Sequence, residues 1–351
     1  MNYKALLFLC ITVGIFSCKP KEKTAAVNYD NFLNEYIDST VSPGEDFFKF
    51  AMGKWLKNNP IPESERSWGI WTLVNEENYS RIRKINEEAA ANTKAKKGSN
   101  EQKIGDFWFT GMDTVTIEKQ GITPLKPELD KIAAISDPQG VIKMASYLHT
   151  MQVQPLFGNY IFQDEKNSNK FRLHFYQGGI GLPDRDYYFD KDERTVTIRN
   201  EYVKHISKMF QLTGIDAATA DTYAQTIMKM ETDFAGASRK LADLRDPYAN
   251  YNSMAVADVN KLCPAINWES FLADAGIKNI DTIIVGQPEF FKQLNTSLTK
   301  ESVDNWKIYL QWNLINAYAD RLSSDFDKEH FHFYGTILNG NKEQRARWKR
   351  V

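Results

Sequence analysis

The chain has 351 residues, of which 42% are hydrophobic, 25% are charged and 13% are aromatic, and its formal net charge at pH 7 is −1. This composition is that of a folded globular protein, long enough for two lobes or for one large helical domain with a subdomain. A net charge this close to zero excludes a broad attraction to polyanions, so no nucleic-acid partner is expected.

The N-terminal segment has the pattern of a secretory signal. One basic residue precedes an apolar run over 5–16 that is too short to span a bilayer, so residues 1–17 are predicted to be a signal peptide. A small residue then precedes Cys18, as in a bacterial lipobox, which predicts a lipidated Cys18 followed by a polar tether, the two together covering 18–29. The predicted protein is an exported bacterial lipoprotein, periplasmic or at the cell surface, whose contact with the membrane is the lipid on Cys18. The alternative is cleavage nearby that leaves Cys18 as a free thiol.

The cysteine count predicts a fold without internal disulfides. The chain has three cysteines, and after removal of Cys10 with the signal and lipidation of Cys18 only Cys263 remains. Cys263 lies between Leu262 and Pro264 with no histidine nearby in the sequence. It is therefore predicted to be a small buried hydrophobic residue and not a nucleophile.

Apolar residues at helical spacing predict most of the elements that follow. Phe47, Ala51 and Trp55 recur every four residues, and this pattern predicts a first helix that ends before Pro60. Gly214 is a typical C-terminal cap of one later helix, and Asp216 is a typical N-terminal cap of the next. The further predicted helices cover about 67–90, 101–119, 200–214, 216–239, 255–262, 267–275, 288–297 and 301–324.

Two β-type runs interrupt the helical pattern, at about 155–163 and 170–177. A polar turn over 164–169 separates them, which predicts a β-hairpin. No repeat of fixed period is present, which argues against a solenoid. The predicted fold class is mainly α: a large multi-helix lobe with one β-hairpin excursion at about 155–177.

No catalytic motif is recognisable in the chain. None of its five histidines belongs to H-E-x-x-H, and the pair His330 and His332 would share a face only on a strand, where two ligands do not make a metal site. Asp184 and Asp186 flank Arg185, which suggests either an acid/base pair or, more simply, a loop fixed by the guanidinium. The sequence therefore predicts no catalytic residue and no metal ligand in this chain.

Four stretches, at 42–71, 178–189, 246–272 and 331–350, together resemble a known family. They include "SPGEDFFKFAMGKWLKNNPIPESERSWGIW", "GGIGLPDRDYYF" and "FHFYGTILNGNKEQRARWKR". In this order they are similar to the N-terminal part of the neprilysin and endothelin-converting-enzyme family of zinc metalloendopeptidases. In that family the zinc-binding H-E-x-x-H, a Glu ligand and a peptide-gripping Asn-Ala motif all lie further along the chain.

The resemblance implies what this chain does and what it lacks. Residues 30–351 are expected to form the family's N-terminal helical domain, truncated before the zinc catalytic domain, which is absent. Zinc is expected in the complete enzyme but not on this chain, which alone should hydrolyse nothing. The expected partners are peptide substrates and the missing catalytic domain, supplied by the same or a separate chain.

The resemblance also points to a substrate-binding site. Members commonly place an Arg directly before an aromatic-Gly pair, where it holds the C-terminal carboxylate of the substrate. Here Ser67 occupies that position and Arg66 precedes it, so Arg66 and Trp68 are the expected substrate-binding residues. On a helix, a shift of one residue turns a side chain by about 100°. Arg66 is therefore expected to reach the cavity only if the turn is irregular, the alternative being a solvent-exposed Arg.

Two other functions remain open at this point. One is a descendant of the family that binds peptides without cleaving them, which the displaced arginine would suit. The other is an unrelated α-helical surface lipoprotein that binds glycans, although such proteins carry helical repeats that this sequence lacks.

Overall fold

The computed structural model describes residues 33–351, so the predicted signal peptide and Cys18 lie outside the described residues. The described residues belong to two compact units, the first ending at Ile61 and the second covering Pro62–Val351. In the first unit the described part contains one long helix, α1, at Phe47–Asn58. Its N-terminus is capped by the Asp46 carboxylate, which accepts a hydrogen bond from the backbone N–H of Lys49 at 2.9 Å.

The second unit is mostly helical, as predicted. Its helices are α2 Ile70–Ala91, α3 Asn100–Met112, α4 Thr114–Gln120, α5 Lys126–Ala133, α6 Pro138–Thr150, α7 Asp186–Phe189, α8 Glu193–Leu212, α9 Ala217–Ala237, α10 Val256–Leu262, α11 Trp268–Asp274, α12 Pro288–Lys300, α13 Val303–Tyr318, α14 Ser324–His330, a π-helix at Phe331–Leu338 and α15 Arg347–Arg350. Short 3₁₀ turns lie at Thr123–Leu125, Asp243–Arg245 and Ala319–Arg321. None of the helices in residues 33–351 is long and apolar enough to cross a membrane.

Two predicted helices are shorter than expected. The predicted helix over 101–119 is divided between α3 and α4 because Asp113 ends one and caps the other, its carboxylate accepting from the Thr116 N–H at 3.0 Å. The predicted helix over 301–324 ends as α-helix at Tyr318. In contrast, Asp216 caps α9 as predicted, accepting from the Thr219 N–H at 3.0 Å.

The predicted hairpin is confirmed and belongs to a small sheet. Strands β1 (Gly158–Asp164) and β2 (Asn167–Tyr176) pair antiparallel. Two strands that the sequence did not reveal complete it: β3 (Asn252–Ala255) and β4 (Thr282–Val285), with the spatial order β1-β2-β4-β3. β4 runs parallel to β2 and antiparallel to β3. Both added strands have four residues, too few to display an alternating pattern.

Large aromatic rings fill the core of the second unit. Trp268, the first residue of α11, packs against Phe157, Phe175 and Phe291 with ring centroids 5.0 to 6.0 Å apart, between the sheet and α12. Cys263 is fully buried, and burial raises the pKa of its thiol to about 12. The thiol therefore stays protonated, which confirms the prediction of a small buried hydrophobic residue.

Candidate functional site

An open cavity of about 650 Å³ lies between the loop before α2 and the π-helix. Its walls come from segments far apart in the sequence: the loop before α2, the 3₁₀ turn at Ala319–Arg321, the C-terminal end of α14, the π-helix, and α15 with the segment that leads into it. The residues that line it are Glu65, Arg66, Ser67, Asp320, His330, Phe331, Tyr334, Gly335, Asn339, Asn341, Gln344, Arg345 and Arg350.

Backbone hydrogen bonds hold the loop before α2 against the segment that follows the π-helix. The N–H groups of Lys342 and Glu343 donate to the Glu63 carbonyl oxygen at 3.1 and 3.3 Å. The Asn341 side-chain amide donates to the Ser64 carbonyl oxygen at 3.1 Å. These contacts satisfy backbone groups of two irregular segments, and they fix the loop that carries Arg66.

Two of the three arginines in the cavity wall are neutralised by carboxylates. The Arg345 guanidinium pairs with Glu65, with Nε 2.7 Å from Oε1. The Arg350 guanidinium binds Asp327 through two parallel hydrogen bonds of 2.9 and 3.0 Å, and Gln344 donates to the same carboxylate at 2.8 Å. Such two-point pairs are well ordered, and they engage N–H donors of the guanidinium and both oxygens of the carboxylate. They shape the wall without offering a free charge.

Arg66 is different from the other two arginines. Its Nη1 donates to the side-chain oxygen of Asn339 at 2.8 Å, and within residues 33–351 it has no carboxylate partner. Residues 66–69 are not helical, because α2 begins only at Ile70. The arginine is one residue earlier than in the family pattern, but this shift does not turn its side chain away as it would on a helix. Arg66 and Ser67 both line the cavity. Trp68 is half-buried and is not one of the lining residues.

The π-helix supplies the aromatic side of the cavity. Tyr334 lies beside His330 with ring centroids 4.7 Å apart. Gly335 permits a close approach, since a Cβ at this position would lie 2.3 Å from the Phe331 ring. Burial, followed by the nearby His205, lowers the pKa of His330, so its imidazole is neutral at pH 7. Long π-helices are rare and frequently mark functional sites.

The two histidines considered as metal ligands do not form a pair. They lie on helical segments and not on a strand, and they line different cavities: His330 the large one, His332 a smaller one beside His205 and Glu329. Across residues 33–351, no three His, Cys, Asp or Glu side chains come close enough together to hold a metal ion. The described residues therefore do not fit a zinc ion, which takes three or four such ligands.

Hydrogen bonds fix the loop that contains Asp184 and Asp186. Arg185 Nε donates to the carbonyl oxygen of Ala235 on α9 at 3.2 Å, and the Asp184 carboxylate accepts from the Asp186 N–H at 2.8 Å. These contacts support the interpretation of a fixed loop rather than an acid/base pair.

Several cavity residues were not identified individually from the sequence. Asn339, Arg345 and Arg350 lie within the last of the four family-like stretches, so the resemblance was a signal for them. Asp320 and His330 lie before that stretch, Asp320 in the 3₁₀ turn at Ala319–Arg321 and His330 at the end of α14, and only the fold brings them to the cavity wall.

The sequence model of peptidase family M13 matches residues 43–351. The chain belongs to peptidase family M13. Curated relatives of this M13 chain include endothelin-converting enzyme 1 of Rattus norvegicus, 28% identical over 337 residues that cover 93% of this chain and 43% of the relative. Neprilysin-3 of Drosophila melanogaster is 29% identical over 311 residues, which cover 83% of this chain and 39% of that protein. The chain thus spans less than half the length of these relatives.

Solved structures agree with the M13 assignment. The Mycobacterium tuberculosis zinc metalloprotease Zmp1 in complex with an inhibitor is 29% identical and superposes with a TM-score of 0.85, over 91% of this chain and 48% of that one. PepO from Lactobacillus rhamnosis HN001 is 16% identical with a TM-score of 0.74, and that likeness concerns the fold alone. The predicted family and the mainly α fold class are confirmed.

Proposed function

We propose that this M13 chain is the substrate-enclosing lobe of an exported zinc metalloendopeptidase, and that Arg66 binds the C-terminal carboxylate of the peptide. The single observation that carries the proposal is an arginine in the wall of an open cavity without a carboxylate partner in the described residues. A guanidinium presents paired N–H donors that match a carboxylate. Asn339, which already contacts Arg66 at 2.8 Å, orients this guanidinium.

The remaining wall suits the rest of a peptide. Phe331 and Tyr334 offer apolar ring surface, and the amide of Asn341 and the hydroxyl of Ser67 offer hydrogen-bonding groups. A volume of about 650 Å³ is sufficient for a few residues of an extended peptide. Trp68, the second residue expected at this site, does not line the cavity, and we propose that it supports the loop behind Arg66.

We place zinc and the general base outside this chain, in the part of the family sequence that it does not match. In zinc peptidases, the metal activates a water molecule and polarises the peptide carbonyl. The residues described here would bind and orient the peptide and restrict access, without performing that step. On this proposal the chain alone binds peptide and cleaves nothing.

The surface formed by α2 and α3 supports the existence of a partner half. These two helices pack against each other. We define the α2–α3 surface as their exposed large apolar side chains: Ile70, Trp71, Leu73, Val74, Ile82, Ile85, Ile104, Phe107 and Phe109. So many large apolar groups on one pair of helices are typical of a surface that another chain or domain covers. We propose that the zinc-bearing half of an M13 peptidase covers it, whether it belongs to the same or a separate chain.

Calorimetry on the full chain tests the role of Arg66. The ligand is a short peptide with a free C-terminal carboxylate, compared with the same peptide as a C-terminal amide. Arg66→Ala should weaken binding of the acid roughly tenfold or more and leave the amide almost unaffected, because a charge-assisted pair is lost. Arg81→Ala is the matched control, since Arg81 is exposed on α2 and pairs with Glu77 at 2.8 Å outside the cavity.

Two outcomes would contradict the role of Arg66. One is equal binding of acid and amide by the unmodified chain, and the other is an equal loss in the Arg66→Ala and Arg81→Ala variants.

A peptide-binding protein that never takes part in proteolysis would give the same calorimetric result. The feature that favoured this alternative was the displaced arginine, and it no longer does so. The displaced arginine lines the cavity in any case. Membership in the M13 family argues against the glycan-binding alternative.

Export is a separate part of the proposal, and it rests on residues outside the described range. Lipidation of Cys18 predicts incorporation of labelled palmitate when the full chain is expressed in bacteria. Cys18→Ser should abolish the label and release the protein from the membrane fraction. Cys263→Ser is the control, because that buried thiol should not affect either measurement. A label that persists in Cys18→Ser would exclude this anchor.

A further inference from the structure

The charged side chains in the wall of the cavity beside Arg66 do not all compensate one another. Five of them line it: Glu65, Arg66, Asp320, Arg345 and Arg350. Arg345 pairs with Glu65, and Arg350 pairs with the buried Asp327. Two charges of opposite sign are left, the guanidinium of Arg66 and the carboxylate of Asp320. Such a wall is electrostatically complementary to a molecule that carries one negative and one positive group.

The Asp320 carboxylate is only weakly paired. The Nε atom of Arg321 lies 3.8 Å from its Oδ1 atom, which is too long for a hydrogen bond. The Arg321 side chain is 68% exposed, and an exposed ion pair at this distance contributes little. Its guanidinium lies 5.5 Å from the centre of the Tyr318 ring and lines a neighbouring cavity. In the part of the chain that the structure describes, no donor forms a hydrogen bond with the Asp320 carboxylate.

Arg350 does not compensate Asp320, although both residues line the same wall. Its Nη1 and Nη2 atoms donate to Asp327 at 2.9 and 3.0 Å, and its Nε atom donates to the Arg345 carbonyl oxygen at 3.1 Å. All three guanidinium nitrogens thus have partners of their own. His330 adds no positive charge either, because burial lowers the pKa of its imidazole. The Asp320 carboxylate is therefore available to a ligand.

The backbone holds Asp320 in a fixed place. It lies in the 3₁₀ turn that follows α13, between a fully buried Ala319 and a Leu322 that is 4% exposed. The Leu322 N–H donates to the Ala319 carbonyl oxygen at 3.3 Å and closes the turn. The two buried neighbours anchor the turn, while the Asp320 side chain is still 44% exposed. A charged group that is positioned in advance loses less conformational freedom when a ligand binds.

We propose that Asp320 is a specificity-determining residue, which binds a cationic group of the peptide while Arg66 binds its C-terminal carboxylate. The inference rests on the proposed function and deepens it, because it names the class of peptide that the cavity takes. That class carries a positive charge a few residues from a C-terminal carboxylate. The aromatic rings of Phe331 and Tyr334 lie in the same wall and suit a cation as well as an apolar side chain.

The positive charge has two possible sources with the same chemistry. One is the side chain of a lysine or arginine near the C-terminus of the peptide. The other is the α-ammonium group of a peptide that is short enough to place both ends in a cavity of about 650 Å³. Both sources offer N–H donors to a carboxylate and form a charge-assisted hydrogen bond with it.

The test is calorimetry on the full chain with pairs of peptides that differ in one charge. Three N-acetylated tripeptides carry a lysine at the first, second or third position, and each is compared with its Nε-acetyl-lysine counterpart. At least one lysine peptide should bind roughly three- to tenfold more tightly, because acetylation removes the charge. Its advantage should shrink at high salt. Trialanine with a free N-terminus, compared with N-acetyl-trialanine, measures the contribution of the α-ammonium group.

Variants of the chain assign the preference to one carboxylate. Asp320→Asn should abolish the preference for the charged peptide, whereas Asp320→Glu, which keeps the charge, should retain most of it. Neither variant should change the preference for acid over amide, which depends on Arg66. Asp325→Asn is the matched control, since Asp325 is exposed on the first turn of α14 and does not line the cavity. It should leave both preferences unchanged.

Two results would overturn this role of Asp320. One is equal binding of every charged peptide and its neutral counterpart by the unmodified chain, and the other is a preference that persists in Asp320→Asn. If Asp320→Asn does not fold, the comparison of charged and neutral peptides on the unmodified chain at low and high salt still decides the question. Failure here leaves the acid preferred over the amide, whereas failure of the Arg66 role removes that preference, so the two are distinguishable.

Discussion

The centre of the second unit and the α2–α3 surface both carry large apolar side chains on helices, but these side chains are buried in the centre and exposed on the surface. In the centre, Trp312 and Tyr309 of α13 and Phe234 of α9 are at most 1% exposed. On the α2–α3 surface, Trp71 is 84% exposed and Phe107 is 67% exposed. Apolar residues recur at helical spacing in both regions. Apolar periodicity therefore indicates a helix face that is suited to burial. Within the described residues, only the face in the centre of the second unit is buried.

This difference agrees with the length of the relatives. The chain spans 43% of the rat endothelin-converting enzyme 1 and 48% of the Mycobacterium tuberculosis Zmp1 chain. A region that is complete within this chain should respond to mutation as a protein core does. A region that we propose another part of the peptidase covers should respond as a surface does.

The largest expected effect comes from tryptophan truncation in the core. Trp268→Ala should lower the free energy of unfolding by about 3–5 kcal/mol, because it removes a fully buried indole from between aromatic rings. Trp71→Ala is the matched variant on the α2–α3 surface and should change it by less than about 0.5 kcal/mol. Urea unfolding of the full chain measures both. Similar losses for the two variants would remove the distinction between the regions.

The second effect concerns the loop in which the Gly181 N–H donates to the buried carboxylate of Glu231 at 3.2 Å. Gly181→Ala should cost about 1–3 kcal/mol in unfolding free energy, because its Cβ would clash with the Tyr202 hydroxyl. Gly69→Ala is the control: no atom lies within 4 Å of its Cβ position, and its backbone is extended with a φ of −164°. The difference in urea midpoint between the two variants is the measurement. Equal midpoints would mean that the loop is not tightly packed.

A smaller effect should distinguish the two helix caps. Asp216→Ala should lower global stability more than Asp113→Ala, because α9 contributes many buried residues and α4 contributes none. Hydrogen bonds from the first turn lower the pKa of both carboxyls. Each therefore stabilises the fold above its unfolded pKa, and the contribution is lost as the pH falls through the lower folded value. Thermal unfolding at neutral and acidic pH should show both differences shrinking in acid.

The smallest effect on stability is expected on the α2–α3 surface. Ile85→Glu and Phe107→Glu should leave the free energy of unfolding within about 0.5 kcal/mol of its original value. They should nevertheless reduce self-association and the binding of a hydrophobic dye. Leu241→Glu, at an exposed apolar residue elsewhere, is the control and should not reduce dye binding. If dye binding is unchanged in the first two variants, this surface does not attract apolar partners.

Local sequence patterns predicted much of the fold. The hairpin and most helices follow from spacing and from caps such as Asp216. The strands β3 and β4 were missed because four residues carry too little pattern, and their pairing depends on contacts distant in sequence. The burial of Glu231 was missed for a similar reason. The sequence of an amphipathic helix does not reveal that one of its glutamates will accept hydrogen bonds from four donors in the folded protein.

The candidate site was only partly predictable. Arg66 was identified through a family resemblance, but its access to the cavity depended on the irregular backbone before α2. The neutralisation of Arg345 and Arg350 involves Glu65 and Asp327, and only the fold brings these carboxylates to their partners. Spacing along the chain could not show that Arg66 alone of the three lacks a carboxylate partner in the described residues.

The central claim is that this lobe binds peptides and leaves the chemistry to another part of the peptidase. The most direct measurement is hydrolysis of a quenched fluorescent peptide by the purified full chain, with added zinc and with a chelator. The account predicts peptide binding but no hydrolysis above background in either condition, because residues 33–351 bring no three potential zinc ligands together. Zinc-dependent hydrolysis that co-purifies with the chain and disappears on chelation would contradict it.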